Sequence, residues 1–397
     1  MPVFPPFLFP FFIPWLANFA GKSKKTLESY KLYLYIICIL LYNMPMHASS
    51  INNRETYWDT VKALLIFLVV FGHVIQFFIY QAEGSNDFWT DSVFKCIYLF
   101  HMPLFMFISG YFAAKSTSMH SWRSLTRYAW RLIPPCLSMG ILLFLMSILK
   151  EQATIFAFYN GCTALWFLVV IFECLFFYLI MQLNDSWWYR SVAFISPILL
   201  ALLIGNIPIM RHLWAHHHHF TYMWPIFVLG SYSHSLNFTS AQINWKWCAF
   251  LLPFVFLYCF FHSTWYVYLT PLKFNIKSFL IDLYRTLTAI AGSGVFLWLC
   301  KYVHRFIGKY SVVKNIGKAT LALYVLQTVF FCKYEIIAPW LYKGVSYMGA
   351  FILSILLLGG FYASYAVISK VPFASLLLFG DRCFIDNKMR TQKYMNE

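Results

Sequence analysis

Charged residues are scarce in this sequence. Only 11% of its 397 residues are Asp, Glu, Lys or Arg, whereas soluble domains carry about 25%. Hydrophobic residues make up 61%, which is more than a water-soluble fold can cover. The shortage of charge therefore excludes an ordinary soluble domain and predicts an integral membrane protein.

Acidic residues are the rarer of the charged types. There are 14 of them against 30 Lys and Arg, which gives a net charge of +16. The basic residues occupy short segments between apolar runs, a pattern that indicates membrane topology. We therefore expect contact with membrane lipids and no nucleic-acid partner.

Clustered cysteines, internal repeats and long linkers are also absent. The ten cysteines are scattered and include no Cys-x-x-Cys pair, which excludes zinc ribbons and thioredoxin-like motifs. The run His216–His219 is the strongest candidate metal site, in a segment predicted to be an outward-facing loop. Consecutive histidines cannot all face one ion and no acidic residue or cysteine stands close by, so we expect no metal.

The apolar runs predict an all-α, polytopic membrane helix bundle with about ten transmembrane helices. The predicted spans are 60–80, 93–113, 132–149, 164–183, 191–209, 221–237, 246–262, 279–300, 319–340 and 346–370. Lys and Arg gather before the first span, after the second and eighth, and at the end of the chain. This places both termini in the cytoplasm of a protein in the cell (inner) membrane.

The predicted domains follow from this pattern. Residues 54–375 are expected to form the membrane domain and 376–397 a cytoplasmic tail. Prolines interrupt the apolar run at the beginning of residues 1–53, so we expect an N-terminal extension there rather than a helix. Translation from Met44 or Met46 would remove most of it from the native product.

The first span carries three candidate catalytic residues. Asp59 and Lys62 are three positions apart and share a helical face at the cytoplasmic end. His73 lies on the same face, eleven residues beyond Lys62, or about 16 Å along a helix. An ionisable group inside a span indicates function, although a histidine bonded within the bundle is the alternative.

Two further segments have distinctive patterns. In the second span Pro103 is expected to kink the helix, and Ser109 and Gly110 to serve helix packing. Arg123, Arg127 and Arg131 recur every four residues and form one stripe if that loop is helical. Such a stripe binds phosphate groups or, alternatively, lipid headgroups.

Other ionisable residues lie in predicted spans. Glu173 is a candidate partner for His73. Asp282 and Arg285 are three apart and can neutralise one another, with a catalytic role for Arg285 as the alternative. We expect His101, His234 and His262 to be hydrogen-bonded within the bundle.

These segments resemble the acyltransferase-3 family of integral membrane acyltransferases, particularly its fucose 4-O-acetylase-like branch. The matching features are Asp59-x-x-Lys62, the Gly72-His73 pair, the stretch 100–111 and Arg131-Leu-Ile-Pro134, with weaker similarity at 165–168 and 316–324. The resemblance covers roughly residues 54–330.

The chain also departs from the family pattern at three places. Lys62 stands where many members have arginine, and it loses the bidentate fork. Arg127 and Arg131 are four apart instead of three, and Gln327 replaces a histidine of the ninth span.

The resemblance implies acetyl-CoA as acyl donor, a carbohydrate or glycolipid hydroxyl as acceptor, and an essential role for His73. The histidine would act as the base that activates the hydroxyl or would carry the acetyl group transiently. Glu173 or Asp59 would orient it, and Arg285, Lys62 or a backbone amide would stabilise the oxyanion. The three arginines would bind CoA phosphates.

Two other functional classes fit the same sequence. A transporter or flippase of a lipid-linked sugar would also have intramembrane charges, although the repeats common in transporters are absent. A non-catalytic subunit of a polysaccharide-export assembly is the third reading. The acceptor sugar and the oligomeric state do not follow from the sequence.

Overall fold

The computed structural model of the protein describes residues 56–81, 85–115, 122–149, 155–207, 216–236, 238–269, 275–332 and 345–381. The predicted N-terminal extension, residues 1–53, lies outside these ranges. So do residues 333–340 of the ninth predicted span and residues 382–397 of the predicted tail.

Every regular element in the described ranges is helical, as the sequence predicts. The α-helices are α1 (Thr56–Val74), α2 (Ser92–Tyr98), α3 (His101–Lys115), α4 (Trp122–Leu149), α5 (Ile155–Ala164), α6 (Trp166–Met181), α7 (Trp187–Asn206), α8 (His217–Ser235), α9 (Leu251–Phe260), α10 (Ile276–Ile307), α11 (Ser311–Lys318), α12 (Thr320–Cys332), α13 (Tyr347–Ile368) and α14 (Pro372–Phe379). Each of the ten predicted spans overlaps at least one of them.

Six helical segments among the described residues are long and apolar enough to cross a membrane. They are Thr56–Tyr80, Ser92–Lys115, Trp122–Ile148, Trp187–Gly205, Ile276–Ile307 and Tyr347–Ile368. The pairs α5–α6 and α11–α12, bent by 68° and 72°, raise the number to eight if each pair is one span. The predicted count of ten and the orientation of the termini stay predictions.

The second span is broken where proline predicts it. Helix α2 ends at Tyr98 and α3 begins at His101. Pro103 has no N–H to donate to the carbonyl of Leu99, four residues earlier, so the regular hydrogen-bond ladder is interrupted there. Ser92–Lys115 still counts as one candidate span, and the kink expected at Pro103 stays a prediction.

Helix α1 is held to the long helix α10 by two polar contacts. The Tyr57 hydroxyl donates to the Leu297 carbonyl oxygen at 2.7 Å, and Thr60 Oγ1 lies 2.8 Å from His304 Nδ1. After Val74, α1 widens into a π-helical segment, Ile75–Tyr80. Such segments are rare and are frequent at functional sites.

Helices α3 and α8 pack through a reciprocal pair of glycines. A Cβ added to Gly110 would overlap the Phe227 backbone, and one added to Gly230 would overlap the Phe107 backbone. The two main chains therefore approach as closely as glycine allows, as in membrane bundles that use small residues at helix interfaces. The packing role predicted for Gly110 is confirmed.

Alanine at either glycine of this pair is expected to destabilise the bundle. The new methyl group meets backbone atoms, which cannot rotate away, so Gly110→Ala or Gly230→Ala should cost at least ~2 kcal/mol. Thermal unfolding in detergent, followed by loss of the monodisperse species, measures the effect.

Gly359 in α13 provides the matched control, because a Cβ there meets nothing within 4 Å. Gly359→Ala should be neutral or stabilising by up to about 1 kcal/mol through helix propensity. Equal melting temperatures for the Gly230 and Gly359 variants would contradict the close packing.

Candidate active site

His73 occupies the last turn of α1, immediately before the π-helical segment. Three aromatic rings surround its imidazole. The ring centroids lie 5.2 Å away for Phe331 of α12, 5.9 Å for Phe77 and 6.4 Å for Tyr98 of α2. The imidazole is therefore enclosed by protein from three elements.

The imidazole of His73 lies deep in the protein without being fully covered. It lies deep among protein atoms, yet part of its surface remains accessible. Tyr98 and Tyr268 share both properties. His73 Nδ1 is buried and has no hydrogen-bond partner among the described residues, while the Gln76 side chain is a hydrogen-bonding neighbour of the ring. One ring nitrogen of His73 is therefore not used by a hydrogen bond to the described residues.

Tyr98 closes the site because Gly72 leaves room for its ring. A Cβ on Gly72 would lie 2.7 Å from the Tyr98 ring. The space beside Gly72 is therefore filled by the Tyr98 side chain. Tyr98 in turn packs on His101, with ring centroids 4.7 Å apart.

His101 is buried and lies within electrostatic range of His73. Its Nδ1 is 2.8 Å from the Ile97 carbonyl oxygen, so this nitrogen carries the proton and donates it. The other ring nitrogen, Nε2, then keeps its lone pair. The predicted bundle hydrogen bond is present, and the histidine also belongs to the site.

Asp59 and Lys62 form an ion pair at the beginning of α1, as their spacing predicts. The Lys62 Nζ to Asp59 Oδ1 distance is 2.9 Å, and Asp59 is buried. Lys62 also lies over the Phe112 ring, 5.5 Å from its centroid. The helix is continuous from Thr56 to Val74, so this pair stays about 16 Å from His73 along the axis.

The arginine stripe is helical. Helix α4 begins at Trp122, ten residues before the predicted third span, and therefore contains Arg123, Arg127 and Arg131 on one face. Arg123 and Arg131 are exposed, and Arg127 donates to Ser124 Oγ at 3.0 Å. These are the residues that could hold a phosphate-bearing cofactor.

Asp282 and Arg285 neutralise one another on α10. Arg285 NH1 donates to Asp282 Oδ1, and its Nε donates to the Trp265 carbonyl. Both side chains are buried. Arg285 lies near His218 and His219 rather than His73, so its predicted role as oxyanion donor beside His73 is not supported.

Carboxylates are missing from the surroundings of His73 in the described part of the chain. Glu173 lies partly buried on α6 next to Cys174. Neither Glu173 nor Asp59 is among the groups that interact with the imidazole. The predicted orienting partners are therefore not brought to His73.

Histidines at two places differ from expectation. His217 begins α8, so most of His216–His219 is helical and not a loop. His262, the last residue of its predicted span, is exposed and lies beyond the end of α9 at Phe260. The described residues contain no group of three or more His, Cys, Asp or Glu arranged to hold a metal ion.

Sequence reasoning missed the residues that reach His73 from other elements. Gln327 is fully buried, with Oε1 unpartnered among the described residues. It stands one helical turn before Phe331, and so on the same face of α12. The Tyr98-x-x-His101 spacing and the Gly72-His73 pair could have drawn attention to these residues. Neither pattern, however, predicts which helices pack against each other.

The helices and the buried polar site define the class: a multi-pass membrane protein with an enclosed histidine centre. Residues 55–368 match the family model described as an acyltransferase domain. The chain therefore belongs to the acyltransferase-3 family, as its motifs predict.

Two curated relatives match over shorter stretches. The Nodulation protein NolL of Sinorhizobium fredii is 33% identical over 200 residues, 46% of this chain and 50% of that protein. The NolL of Mesorhizobium japonicum is 34% identical over 153 residues, 38% of this chain and 36% of that protein. The chain spans half or less of the length of these relatives, and no solved structure matches it.

We expect small reagents to reach the accessible part of the His73 position. In a background lacking the other cysteines, His73→Cys should react with a small methanethiosulfonate, because this position keeps accessible surface. Val74→Cys is the matched control, since Val74 is fully buried one residue further along. Mass spectrometry of the intact protein measures labelling, and equal protection of both cysteines would contradict this accessibility.

Proposed function

We propose that this protein is a membrane O-acetyltransferase that moves acetyl from cytosolic acetyl-CoA to a hydroxyl of a carbohydrate, in a surface polysaccharide or glycolipid precursor. The observation that carries the proposal is His73, enclosed by α1, α2 and α12, with a buried ring nitrogen left unpartnered among the described residues. Its family membership supports acyl transfer.

The proposed chemistry uses His73 as general base. Its unprotonated ring nitrogen takes the proton of the acceptor hydroxyl while that oxygen attacks the thioester carbonyl. The tetrahedral intermediate then collapses, the carbon–sulfur bond breaks, and the thiolate of CoA receives the proton from the imidazolium. A histidine whose nitrogen is not already committed to a protein partner suits this role.

The groups around His73 suggest how the oxyanion is stabilised. Lys62 is about 16 Å away along α1, and Arg285 is bound to Asp282 and Trp265. Among the side chains that neighbour the imidazole, Gln76 and Tyr98 carry neutral hydrogen-bond donors. We assign oxyanion stabilisation to these two, since preorganised neutral donors are effective where water is excluded.

The donor is proposed to enter from the arginine stripe. Arg123, Arg127 and Arg131 offer guanidinium groups on one face of α4, and guanidinium binds phosphate bidentately. On the proposed topology of ten spans with cytoplasmic termini in the inner membrane, this stripe and the Asp59–Lys62 pair face the cytoplasm. The uncharged pantetheine arm would then reach inward to His73.

Removing the base is expected to abolish transfer. His73→Gln keeps size and hydrogen bonding but cannot accept the proton, so transfer from radiolabelled acetyl-CoA to carbohydrate should fall at least ~100-fold. His262→Ala, at an exposed position, should leave the rate unchanged.

Full activity of His73→Gln in correctly folded protein would refute the assignment. Label that is trapped on the wild-type protein by rapid quenching, is released by hydroxylamine and is absent from His73→Gln would indicate a transient acetyl-histidine instead of direct transfer. Vectorial movement of sugar without labelled product would indicate the flippase.

The arginine stripe is expected to set the affinity for the donor. Arg127→Ala should raise KM for acetyl-CoA about tenfold, the loss of one charge-assisted hydrogen bond. It should also reduce the preference for acetyl-CoA over acetyl-dephospho-CoA if it contacts the 3′-phosphate. Arg305→Ala is the control, since Arg305 is an exposed basic residue at the end of α10. An unchanged KM after replacement of all three arginines would assign the stripe to lipid headgroups.

A further inference from the structure

His219 is an unexplained polar side chain in the bundle. It lies in the first turn of α8, and only 6% of its surface is exposed. It belongs to neither of the ion pairs described above. Both of its ring nitrogens are buried and have no hydrogen-bond partner among the described residues. Buried polar atoms are nearly always paired, so such a residue points to a missing ligand.

Two aromatic rings flank this imidazole. The Trp166 centroid lies 4.4 Å from the His219 ring and the Tyr268 centroid lies 5.1 Å from it. Trp166 and Tyr268 meet nearly at right angles, with ring centroids 5.8 Å apart. Both rings retain accessible surface, so neither is wholly enclosed by protein.

A series of ring contacts connects this group of side chains to the site of His73. Tyr268 lies 6.1 Å from Tyr98 between ring centroids, and Tyr98 is the ring that closes over His73. His219 is thus connected to His73 through three successive ring contacts, by way of Tyr268 and Tyr98. A group bound at His219 therefore touches a part of the acceptor that does not react.

The chemistry of the three side chains fits a sugar ring. A pyranose has an apolar face of C–H groups, which packs on an indole or phenol face, and a rim of hydroxyls, which each donate and accept hydrogen bonds. A neutral imidazole offers one donor and one acceptor. Binding pockets combine apolar walls with a few such polar groups. The nearby charge, Arg285, is already bound to Asp282.

We propose that His219, Trp166 and Tyr268 form a pyranose-binding subsite for the acceptor, at the far side of Tyr98 from His73. The inference rests on the proposed function for its biological meaning. His219 hydrogen-bonds a hydroxyl of the bound sugar, and Trp166 and Tyr268 pack against its C–H face. The subsite contributes affinity and orientation and takes no part in proton transfer.

Binding of simple glycosides to the full chain in nanodiscs tests the subsite without any turnover. The probes are the methyl pyranosides of glucose, galactose, N-acetylglucosamine, fucose and rhamnose, with binding followed by saturation-transfer NMR. Wild type should bind at least one of them in the millimolar range. His219→Phe keeps the stacked ring and removes both nitrogens, so affinity should fall about tenfold or more.

Trp166→Leu is the second variant and removes the stacking wall without touching the histidine. It should weaken binding to a similar degree, and His262→Phe, at an exposed histidine, should bind like wild type. Unchanged binding by folded His219→Phe or folded Trp166→Leu would overturn the subsite, as would failure of wild type to bind any of the five probes.

The same measurement separates the subsite from the proposed reaction. Glycoside binding that is lost in both variants, in a protein that never acetylates carbohydrate, would establish the subsite and refute the acetyltransferase. Acetyl transfer with an unchanged acceptor KM in His219→Phe would establish the acetyltransferase and refute the subsite. A raised acceptor KM with an unchanged KM for acetyl-CoA supports both.

Discussion

A polar ring in a membrane bundle must be enclosed by protein, because an unsatisfied polar group facing hydrocarbon is costly. The placement of His73 depends on this constraint. Phe331, Phe77 and Tyr98 surround its imidazole, and Gly72 provides the space that Tyr98 needs. The aromatic enclosure keeps lipid away while leaving one ring nitrogen available, which is the condition for a base at this depth.

The enclosure in turn requires the helices to approach closely. The second span is interrupted near Pro103, between α2 and α3. Tyr98 is the last residue of α2 and His101 is the first residue of α3. Below the break, Gly110 and Gly230 let α3 and α8 touch through their backbones. This contact holds α8, and with it His219, against the element that carries His101. Packing glycines far from the chemistry thus fix the distance between the two ends of the site.

Local features of this arrangement follow from the sequence, and distant ones do not. Hydropathy located the helices, and Pro103 located the break in the second span. Three-residue spacing identified the Asp59–Lys62 and Asp282–Arg285 pairs. Each of these features depends on neighbours in the chain. The partner chosen for His73, Glu173, was not found beside it, because pairing across helices depends on their rotation and order in the bundle. The π-helical segment after Val74 and the approach of Phe331 to His73 were not predicted for the same reason. Hydropathy also treats the histidines of α8 as a loop, whereas burial among aromatic rings makes them part of a helix.

The site has two chemically different ends, which suits substrates that cannot share one environment. In the proposed function, Asp59, Lys62 and the arginine stripe make the donor end ionic, as a donor with phosphate groups requires. Trp166, Tyr268 and His219 make the other end aromatic and uncharged, as a neutral sugar requires. Free mixing of these groups would place charges in the aromatic end, where their desolvation is unfavourable. On the proposed function, this separation means that only the uncharged parts of both substrates need to meet at the imidazole of His73.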